Sequence, residues 1–553
     1  MRTAALLVLG VACTEVTPDS PADTPPEETV DTGGTTTPAT TCADGTPVEL
    51  FTPGSAMDFD LPVPDLTLPT AEGDWILSEQ WSGCDTYVFV LYDPQVTYSQ
   101  QLIDGNLREW LEASPENVHY FFATHRRGDN GTEDLAYVAE ELENGLDRLD
   151  DDGAYWAPRL HLVEGGASAV EVLGDFVDVY DNEGNGLWAF GIDRFGVARE
   201  VGYLADPATG WAEAEPVWLA YEPKLWNFEA AREMRLDAQG ATVVTVFDHV
   251  EVSDGSWSGA TAAAEIEVPA NVGDFDSLEV DLRLDCTGHP EADHCPAWDY
   301  LVYAYVCDPD DPATTDVDES TTCTELGRFI TTYWRPGRWV VDASGFLPLF
   351  QTGGTRVIRF YTTQLYDVTL SLRFFDAGKA AVPFAMEPLW TGGAFDETYN
   401  DAHPPIAFTP PQGTTKVEVM AIVSGHGYGD DRENCAEFCN HQHEFVANAG
   451  QAHLLEFPEA GSTYGCAEQV ATKGTIPNQS GTWVYGRGGW CPGLEVPPWY
   501  ADVTADVDLA GENELAYRGL FEGGTYVPED RPDESRTWFA ARVDVQSWLV
   551  YSR

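Results

Sequence analysis

The run VTLSLRFF at residues 368–375 alternates apolar and polar side chains. A period of two residues is that of a β-strand with one face in a core and the other in solvent. Runs of this kind, separated by turn residues, recur from about residue 236 to the end of the chain: VVTVFDHVEV (243–252), AEIEVPA (264–270), LEVDLRL (278–284), YLVYAYV (300–306), RVIRFYT (356–362), KVEVMAIV (416–423), HEFVANA (443–449) and ARVDVQSWLVY (541–551). The pattern predicts two antiparallel β-sandwiches of the jelly-roll type, at residues 236–378 and 379–553.

Residues 47–235 follow a different pattern, in which predicted strands and helices alternate. The predicted elements are a buried strand at 87–92 (YVFVLY), a helix at 102–111, a strand at 118–124, a helix at 132–149 with Thr132 as N-cap, a strand at 160–163 and a hairpin at 188–201 that turns at 193–196. This order resembles thioredoxin-like domains, as do the phrases DLTLPTAEGDWILSEQWSG (65–83) and FGIDRFGVARE (190–200). Where a thiol motif would follow the first strand, the chain has DPQVTY (93–98) and no Cys. We therefore interpret this α/β domain as a spacer or docking module rather than a redox enzyme.

The first 46 residues indicate export from the cytoplasm. Arg2 precedes an apolar run, Ala4–Ala12, which is far too short to span a bilayer and is typical of a secretion signal. Small residues before Cys13 resemble a lipoprotein signal-peptidase site, so we expect residues 1–13 to be a lipoprotein-type signal with Cys13 acylated. Residues 14–46, rich in Thr, Pro, Asp and Glu, predict a disordered tether. The expected location is the outer membrane or cell surface through a lipid anchor, with plain secretion as the alternative.

The charge of the chain limits its partners. The formal net charge is -65, and Lys occurs only at 224, 379, 416 and 473. A polyanion of this kind repels nucleic acid and anionic membranes, so we expect no nucleic acid partner and membrane contact only through the N-terminal lipid. Dense acidic residues with scarce Lys have two explanations. They are typical of proteins in a salt-rich environment, where salt screens the repulsion between like charges, and they are equally typical of the acidic exported proteins of a high-GC genome.

Eleven cysteines fit the same compartment. With Cys13 acylated, ten remain, which fits five disulfides outside the reducing cytoplasm. Proximity in sequence gives four pairs and elimination the fifth: Cys286–Cys295, Cys307–Cys323, Cys435–Cys439, Cys466–Cys491 and Cys42–Cys84. A metal site is the competing interpretation, but no pair has the CxxC spacing of a zinc site.

Two short motifs carry candidate chemistry, one in each predicted sandwich. CPAWDY (295–300) places Asp299 at the start of a strand, although an Asp at a strand end is often only a turn former. In the second sandwich, SGHGY (424–428) is followed by CAEFCNHQH (435–443). Two cysteines bracket Glu437 there, an arrangement that would fix the direction of its side chain; a solvated Glu is the alternative.

These motifs are similar to those of the peptide-N-glycosidase F family across about 240–553, which spans both of its sandwich domains. The similar stretches keep the family's order: VTVFDHVEV (244–252), CPAWDY (295–300), GRFITTYW (327–334), CAEFC (435–439) with His443, PNQSGTW (477–483) and RGGWCPG (487–493). The resemblance implies hydrolysis of the amide between Asn and the first N-acetylglucosamine of N-glycoproteins or glycopeptides, with no organic cofactor and no required metal. It also implies that Asp299 is the principal catalytic carboxylate, Glu437 the second one, and Arg487 an arginine of the substrate cleft.

The chemistry of the reaction agrees with these residue types. An amide is a poor electrophile, so its hydrolysis needs an activated water and stabilisation of charge on the carbonyl oxygen. Asp299 can activate the nucleophile, while Glu437 can position water or protonate the leaving nitrogen. Arg487 can meet the developing charge or a sugar oxygen. One carboxylate from each sandwich predicts a site in the cleft between them.

Several positions that contact sugar in the family differ here. Thr363 stands where the family has a third carboxylate, and Tyr300 stands where it has an arginine. Leu365 replaces a tryptophan, and His426-Gly427-Tyr428 replaces the Trp-Gly-His of a sugar-facing loop. The expected substrate-binding set is Arg487, Trp298, Tyr300, Thr363, His426 and His443.

Two other functions remain open. His426, His441 and His443 gather near Glu437, as ligands of a metal site would, and peptidylglycine monooxygenases pair similar sandwiches with copper; their copper-binding His patterns are not found here. A non-catalytic glycan- or protein-binding surface lipoprotein is the second alternative. The acidic loop 308–319 has calcium-binding composition, and a solvated loop closed by Cys307–Cys323 is the competing interpretation.

Overall fold

The computed structural model describes residues 41–149, 152–182, 188–205, 215–253, 259–287, 295–307, 323–428, 435–529 and 540–553. The expected signal, the acylated Cys13, the tether up to residue 40 and the acidic loop 308–319 lie outside these ranges. Among the described residues, no helix is long and apolar enough to cross a membrane.

The N-terminal part of the described chain is built on a five-stranded mixed sheet with strand order β5-β4-β3-β6-β7. Its strands, with the hairpin β1–β2 that precedes them, are β1 Thr67–Thr70, β2 Gly73–Ile76, β3 Thr86–Tyr92, β4 Val118–Thr124, β5 Leu160–Leu162, β6 Ala189–Ile192 and β7 Ala198–Glu200. The helices are α1 Leu77–Gln80, α2 Thr97–Asp104, α3 Leu107–Ala113, α4 Gly128–Leu146, α5 Gly153–Trp156, α6 Glu171–Asn182 and α7 Tyr221–Ala238. Strands β3, β4 and β5 are parallel, and β6 and β7 pair antiparallel. We call this part the α/β unit.

Strand β3 explains why the α/β unit has two cores. All seven of its residues are buried. A strand that is buried on both faces has no solvent-facing positions, which is why its sequence after Thr86 shows no polar alternation. Val88 and Val90 pack into one apolar cluster, while Phe89 and Leu91 pack into a second cluster on the other face. The sheet is therefore covered on both faces, as parallel strands require.

Two details of the predicted helices in the α/β unit are wrong. The helix expected at 102–111 is two helices, α2 and α3, because the chain turns at Gly105 and Asn106 caps α3 through its side chain. Thr132 is not an N-cap: α4 starts at Gly128, and the Thr132 hydroxyl donates to the Gly128 carbonyl inside the helix. The predicted strands of the α/β unit lie within two residues of their observed limits.

The first sandwich consists of two antiparallel sheets, ordered β13-β10-β15-β8 and β21-β12-β11-β14-β9. Their strands are β8 Thr242–Val252, β9 Ala260–Val268, β10 Ser277–Asp285, β11 Leu301–Cys307, β12 Cys323–Ile330, β13 Gly337–Asp342, β14 Gly354–Thr362 and β15 Tyr366–Phe375, joined by the late strand β21 Glu495–Val496. Alternate residues of both sheets meet in one apolar core, as the period-two pattern predicts.

The second sandwich pairs sheets of order β16-β24-β18-β22 and β17-β23-β19-β20 around its own core. Its elements are β16 Pro383–Ala394, β17 Ile406–Phe408, β18 Lys416–His426, β19 His441–Ala447, β20 Ala452–Leu455, α8 Val470–Lys473, β22 Trp499–Asp502, β23 Asn513–Phe521 and β24 Arg542–Ser552. Phe346 of the first sandwich contacts Trp548 of the second at 4.9 Å between ring centroids. The two sandwiches therefore share an apolar interface.

The α/β unit packs directly on the segment that carries Arg487, which differs from the interpretation as a spacer. Trp483 is fully buried, and its ring lies 5.5 Å from Trp218 and 6.0 Å from Tyr221. A buried ion pair joins Glu222 of α7 to Arg335 of the first sandwich at 2.7 Å. Such an interface is typical of a fixed domain contact, because a mobile spacer would leave these groups exposed to water.

The five disulfides are those that the sequence predicts. The bonded pairs are Cys42–Cys84, Cys286–Cys295, Cys307–Cys323, Cys435–Cys439 and Cys466–Cys491. Three of them flank the segments that carry Asp299, Glu437 and Arg487.

Candidate active site

Asp299 lies two residues before β11, and its backbone is fixed by one hydroxyl. Thr331 Oγ1 donates to the Trp298 carbonyl at 2.5 Å and accepts from the Tyr300 amide at 2.8 Å. The Thr331 amide also donates to the Tyr300 carbonyl at 2.9 Å. The chain on both sides of Asp299 is therefore held, which leaves its carboxylate little freedom of direction.

Glu437 lies in the short loop closed by Cys435–Cys439. The Gly427 amide donates to Glu437 Oε2 at 3.1 Å, and the Gly488 amide donates to the Glu437 carbonyl at 2.7 Å. The side chain is 11% exposed, so the alternative of a solvated Glu does not apply.

Arg487 joins the two carboxylates. Its Nη2 lies 3.5 Å from Asp299 Oδ2, and its Nε lies 3.5 Å from Glu437 Oε1. The guanidinium is held from behind, since Nη1 donates to the Thr482 and Tyr485 carbonyls at 3.1 and 2.8 Å. The structure thus brings together, around one buried cation, the three residues that the sequence places in the reaction.

Two aromatic rings complete the surroundings of Arg487. Its guanidinium carbon lies 4.8 Å from the Trp490 ring and 5.3 Å from the Phe438 ring. Aromatic faces attract a cation and exclude water, so the charge of Arg487 acts at low local dielectric.

Burial controls the protonation of both carboxylates. It raises the pKa of Asp299 above its ordinary value, against the opposing effects of Arg487 and of a hydrogen bond from Tyr333. Burial also raises the pKa of Glu437 to about 7; the charge of Asp299 adds to this rise, and Arg487 and the Gly427 amide oppose it. Glu437 can therefore both hold and release a proton near neutral pH, as general acid–base catalysis requires.

Tyr333 is a site residue to which the sequence analysis assigned no role. Its hydroxyl hydrogen-bonds the Asp299 carboxylate and lies 3.4 Å from Thr482 Oγ1. Thr482 Oγ1 in turn accepts from Arg487 Nη2 at 2.9 Å. The sequence motifs could have indicated both residues, because Tyr333 falls within GRFITTYW and Thr482 within PNQSGTW.

Trp298 and Tyr300 flank the carboxylate of Asp299. Trp298 is 48% exposed, and Tyr428, whose ring lies 5.9 Å from that of Phe438, is 43% exposed. Tyr300 is partly buried, and burial with the charge of Asp299 raises the pKa of its hydroxyl. An exposed indole beside a carboxylate is a suitable stacking surface for a sugar ring.

His426, at the end of β18, is half-buried and lies against Trp490. Its ring stacks on Trp490 at 5.2 Å, with 27° between the planes, and its Nε2 hydrogen-bonds Ser424 Oγ at 2.8 Å. Burial lowers the pKa of His426 to about 4, so the ring is neutral at pH 7. His426 therefore supports Trp490, and its contact with a sugar stays a prediction.

His443 is fully buried inside the second sandwich. It belongs to a chain of hydrogen bonds: His441 Nε2 to the Gly488 carbonyl at 3.3 Å, His441 Nδ1 to His443 Nε2 at 2.8 Å, and His443 Nδ1 to the Tyr517 hydroxyl at 2.7 Å. A carbonyl only accepts, so His441 Nε2 carries a proton, His443 Nε2 donates to His441, and Tyr517 donates to His443. The histidines thus brace the loop of Arg487 and Gly488.

The histidine chain bears on the alternative of a metal site. Both ring nitrogens of His441 and His443 are engaged in these hydrogen bonds. Burial lowers the pKa of His441 to about 3 and that of His443 well below its ordinary range, so both are neutral. Within the described residues, no group of three or more His, Cys, Asp or Glu side chains is arranged to hold a metal ion.

Thr363 directly follows β14 and carries an unusual hydroxyl. Its Oγ1 is buried and has no hydrogen-bond partner among the described residues. A buried hydroxyl without a partner costs about 1–3 kcal/mol, so a partner from outside the chain would be stabilising there.

Comparisons with known proteins find the following similarities. Residues 394–550 match the family described as Peptide-N-glycosidase F, C terminal. Peptide-N(4)-(N-acetyl-beta-D-glucosaminyl)asparagine amidase F of Elizabethkingia miricola is 25% identical over 292 residues, which cover 48% of this chain and 75% of that protein. Among solved structures, PNGase F, a glycosylasparaginase from Flavobacterium meningosepticum, is 17% identical, with 56% of this chain and 96% of that one covered at a TM-score of 0.42. PNGF-II is 14% identical, with 66% and 74% covered at a TM-score of 0.41.

Proposed function

We propose, from the match of residues 394–550 to the family Peptide-N-glycosidase F, C terminal, that this chain is an amidase that hydrolyses the Asn–N-acetylglucosamine amide of N-glycoproteins or glycopeptides. One observation carries the proposal: Asp299 and Glu437, from different sandwiches, both lie 3.5 Å from the guanidinium of the buried Arg487. Two carboxylates with raised pKa values around one cation are suited to hydrolysis of an amide.

In the proposed reaction, Asp299 accepts a proton from water as the water oxygen bonds to the amide carbon. Arg487 stabilises the negative charge that develops on the carbonyl oxygen. Glu437, with a pKa of about 7, donates a proton to the nitrogen as the carbon–nitrogen bond breaks. The products are Asp on the peptide and a glycosylamine, which then loses ammonia. Transfer of the proton from Asp299 to Glu437 through water restores the starting state.

The other expected site residues divide into two groups in this proposal. Trp298, Tyr300 and Thr363 contact the substrate, with Trp298 stacking on the first sugar ring. His426 and His443 support the site from behind, through Trp490 and through the Arg487 loop. No residue of the proposed reaction requires an organic cofactor or a metal.

The finer organisation of the chain is also a proposal. We place a thioredoxin-like domain without redox cysteines at 47–235 and two peptide-N-glycosidase F-type sandwiches at 236–378 and 379–553. The parallel β3–β4–β5 arrangement with an antiparallel β6–β7 hairpin supports the first assignment. Five disulfides support an extracytoplasmic location, for which we propose a lipid anchor on Cys13.

The test is incubation of the purified full chain with a denatured N-glycoprotein in water enriched in ¹⁸O. The expected result is conversion of the glycosylated Asn to Asp with one ¹⁸O atom, together with release of the intact glycan. The Asp299→Asn variant is the matched control and should leave the Asn intact. Glycan binding without conversion would assign the chain to the non-catalytic binding proteins, and activity lost to chelators would assign it to the metal-dependent ones.

A further inference from the structure

A second polar groove lies between the two sandwiches, beside the site already described. It has a volume of about 490 Å³ and is walled by β11, β12 and β14 on one side and by β16 and β24 on the other. Its lining includes Tyr303, Tyr305, Tyr361, Arg542, Asp544 and Gln546. We call it the tyrosine groove.

The tyrosines face the groove because of the strand period. Val302, Ala304 and Val306 of β11 are buried in the core of the first sandwich, so Tyr303 and Tyr305 project from the opposite face. The two rings stack at 5.6 Å with 23° between their planes. Tyr361 is the register partner of Tyr303 on β14, and its ring lies 6.1 Å away. Three neighbouring aromatic rings thus form one wall.

The same strands connect the groove to the proposed active site. Asp299 precedes Tyr303 and Tyr305 on the approach to β11, so at about 3.3 Å per residue these tyrosines lie about 13 and 20 Å along the chain direction from the carboxylate. Tyr361 lies two residues before Thr363. A ligand that leaves the active site along these strands would reach the tyrosine rings within a few sugar lengths.

The floor of the groove is rigid and is tied to the site through one arginine. Arg328 is buried, and its Nη1 donates to Ser424 Oγ and to the Asp544 carbonyl, both at 2.8 Å. Ser424 hydrogen-bonds His426, which stacks on Trp490. The spacing of the two sandwiches at the groove is therefore fixed by the same contacts that support Arg487.

The charges of the lining are matched in pairs. Arg328 pairs with Glu325 at 2.9 Å, and Arg542 pairs with Asp544. The Arg542 side chain is 64% exposed, so its guanidinium is accessible to a ligand in water. A wall of aromatic faces opposite amide and charged hydrogen-bonding groups, with no net charge, suits the apolar ring faces and hydroxyls of neutral sugars.

We propose that the tyrosine groove binds the outer neutral sugars of the N-glycan, beyond those held in the active site. This inference rests on the proposed function, because it takes the glycan as the substrate. The groove makes the chain selective for long glycans over short ones, through KM rather than through the chemical step.

The experiment compares two glycopeptides with the same peptide, one bearing only the two core N-acetylglucosamine units and one bearing a long neutral glycan. For the full-length wild type we expect a KM about 10-fold lower for the long glycan. Tyr303→Ala and Tyr361→Ala should each raise KM for the long glycan about 5- to 10-fold, as loss of one aromatic contact does, and leave the short one unchanged. Tyr155→Ala, at an exposed tyrosine of the α/β unit, is the control and should change neither.

A binding measurement separates this proposal from the proposed function and from a folding defect. The free long oligosaccharide is titrated calorimetrically into the full-length Asp299→Asn protein, with and without Tyr361→Ala, after thermal unfolding has shown that both are folded. Binding that requires Tyr361 supports the groove even if no glycopeptide is hydrolysed. Equal KM values for both glycopeptides in the wild type, or no binding of the oligosaccharide, would overturn the proposal.

Discussion

Asp299 and Glu437 meet at the same guanidinium, but the structure holds them by different means. Asp299 is fixed by the backbone contacts of Thr331 and by the hydroxyl of Tyr333, within a region that packs against the α/β unit. Glu437 is fixed within the second sandwich, by a short disulfide-closed loop and by the amides of Gly427 and Gly488. The Asp299 side of the site therefore depends on distant parts of the chain, whereas the Glu437 side is local.

Arg487, like Asp299, is held by a region that packs against the α/β unit. Its loop belongs in sequence to the second sandwich, yet Trp483 and Val484 of the same segment lie in an apolar cluster with Trp218 of the α/β unit. The α/β unit thus packs against the segment that carries the cation between both carboxylates.

The largest expected effect is that of Asp299→Asn. The asparagine side chain keeps the shape of the carboxylate but cannot accept the proton of water. We therefore expect kcat to fall about 10⁴-fold, the upper end of the range for loss of one catalytic group. The measurement is turnover of a defined glycopeptide. Asp274→Asn, at an exposed Asp of the same sandwich, is the control and should keep wild-type activity. Near-normal turnover by Asp299→Asn would assign the nucleophile-activating role to another residue.

Glu437→Gln should reduce kcat about 10²- to 10³-fold and should change its pH dependence. Because Glu437 must donate a proton and has a pKa of about 7, wild-type activity should fall as pH rises through 7. The variant should lack this alkaline limb. Glu459→Gln, at an exposed Glu nearby, should keep both the rate and the limb.

The same substitution tests the cause of the pKa shift through stability. The pKa of Glu437 is raised from 4.5 when unfolded to about 7 when folded, so the folded protein binds more protons between these values. The contribution of Glu437 to stability is therefore fully present below about pH 4.5 and is lost as pH rises through 7. Unfolding by denaturant at pH 4.5, 6 and 7.5 should show a smaller loss for Glu437→Gln than for the wild type. An identical pH profile would mean that burial does not perturb Glu437.

Trp218→Ala tests whether the α/β unit supports the active site. Loss of the indole should destabilise the protein by about 3–5 kcal/mol and should also lower kcat of the folded enzyme about 10-fold, because the Arg487 loop loses its backing. Trp156→Ala is the matched control, since Trp156 is equally buried in the α/β unit. It should reduce stability without changing kcat. Trp218→Phe, which keeps an aromatic ring at this position, should restore most of the activity. Equal kcat values for the two alanine variants would mean that the α/β unit does not support the active site.

The sequence predicted the elements better than their assembly. Strand β4 has the predicted limits, 118–124, because its apolar run ends at clear turn residues. Asp299, Glu437 and Arg487, each in a short specific motif, lie together in the structure, and their catalytic roles stay predictions. The packing of Trp483 on Trp218 was not predictable, because 265 positions separate them and nothing local signals the contact. The stacking of His426 on Trp490 was missed for the same reason, because the two rings approach only in the fold.

The smallest expected effect concerns Thr363, at the end of β14 where the family has a carboxylate. Tyr303 pairs with Tyr361 across β11 and β14. Continued by two residues, this antiparallel register places Thr363 opposite Leu301, close to Asp299 on the same face of the sheet. A Glu at this position adds a third negative charge around one arginine, which raises the pKa values of its neighbours. Thr363→Glu should therefore move the pH of maximal activity upward and raise kcat/KM on a short N-glycopeptide about 2- to 5-fold, through an added hydrogen bond to a sugar hydroxyl. Thr363→Gln tests the charge separately, because it offers the hydrogen bond but should leave the pH profile unchanged. A wild type that is already fast and is only harmed by Thr363→Glu would mean that the site is adapted to a different sugar at this position.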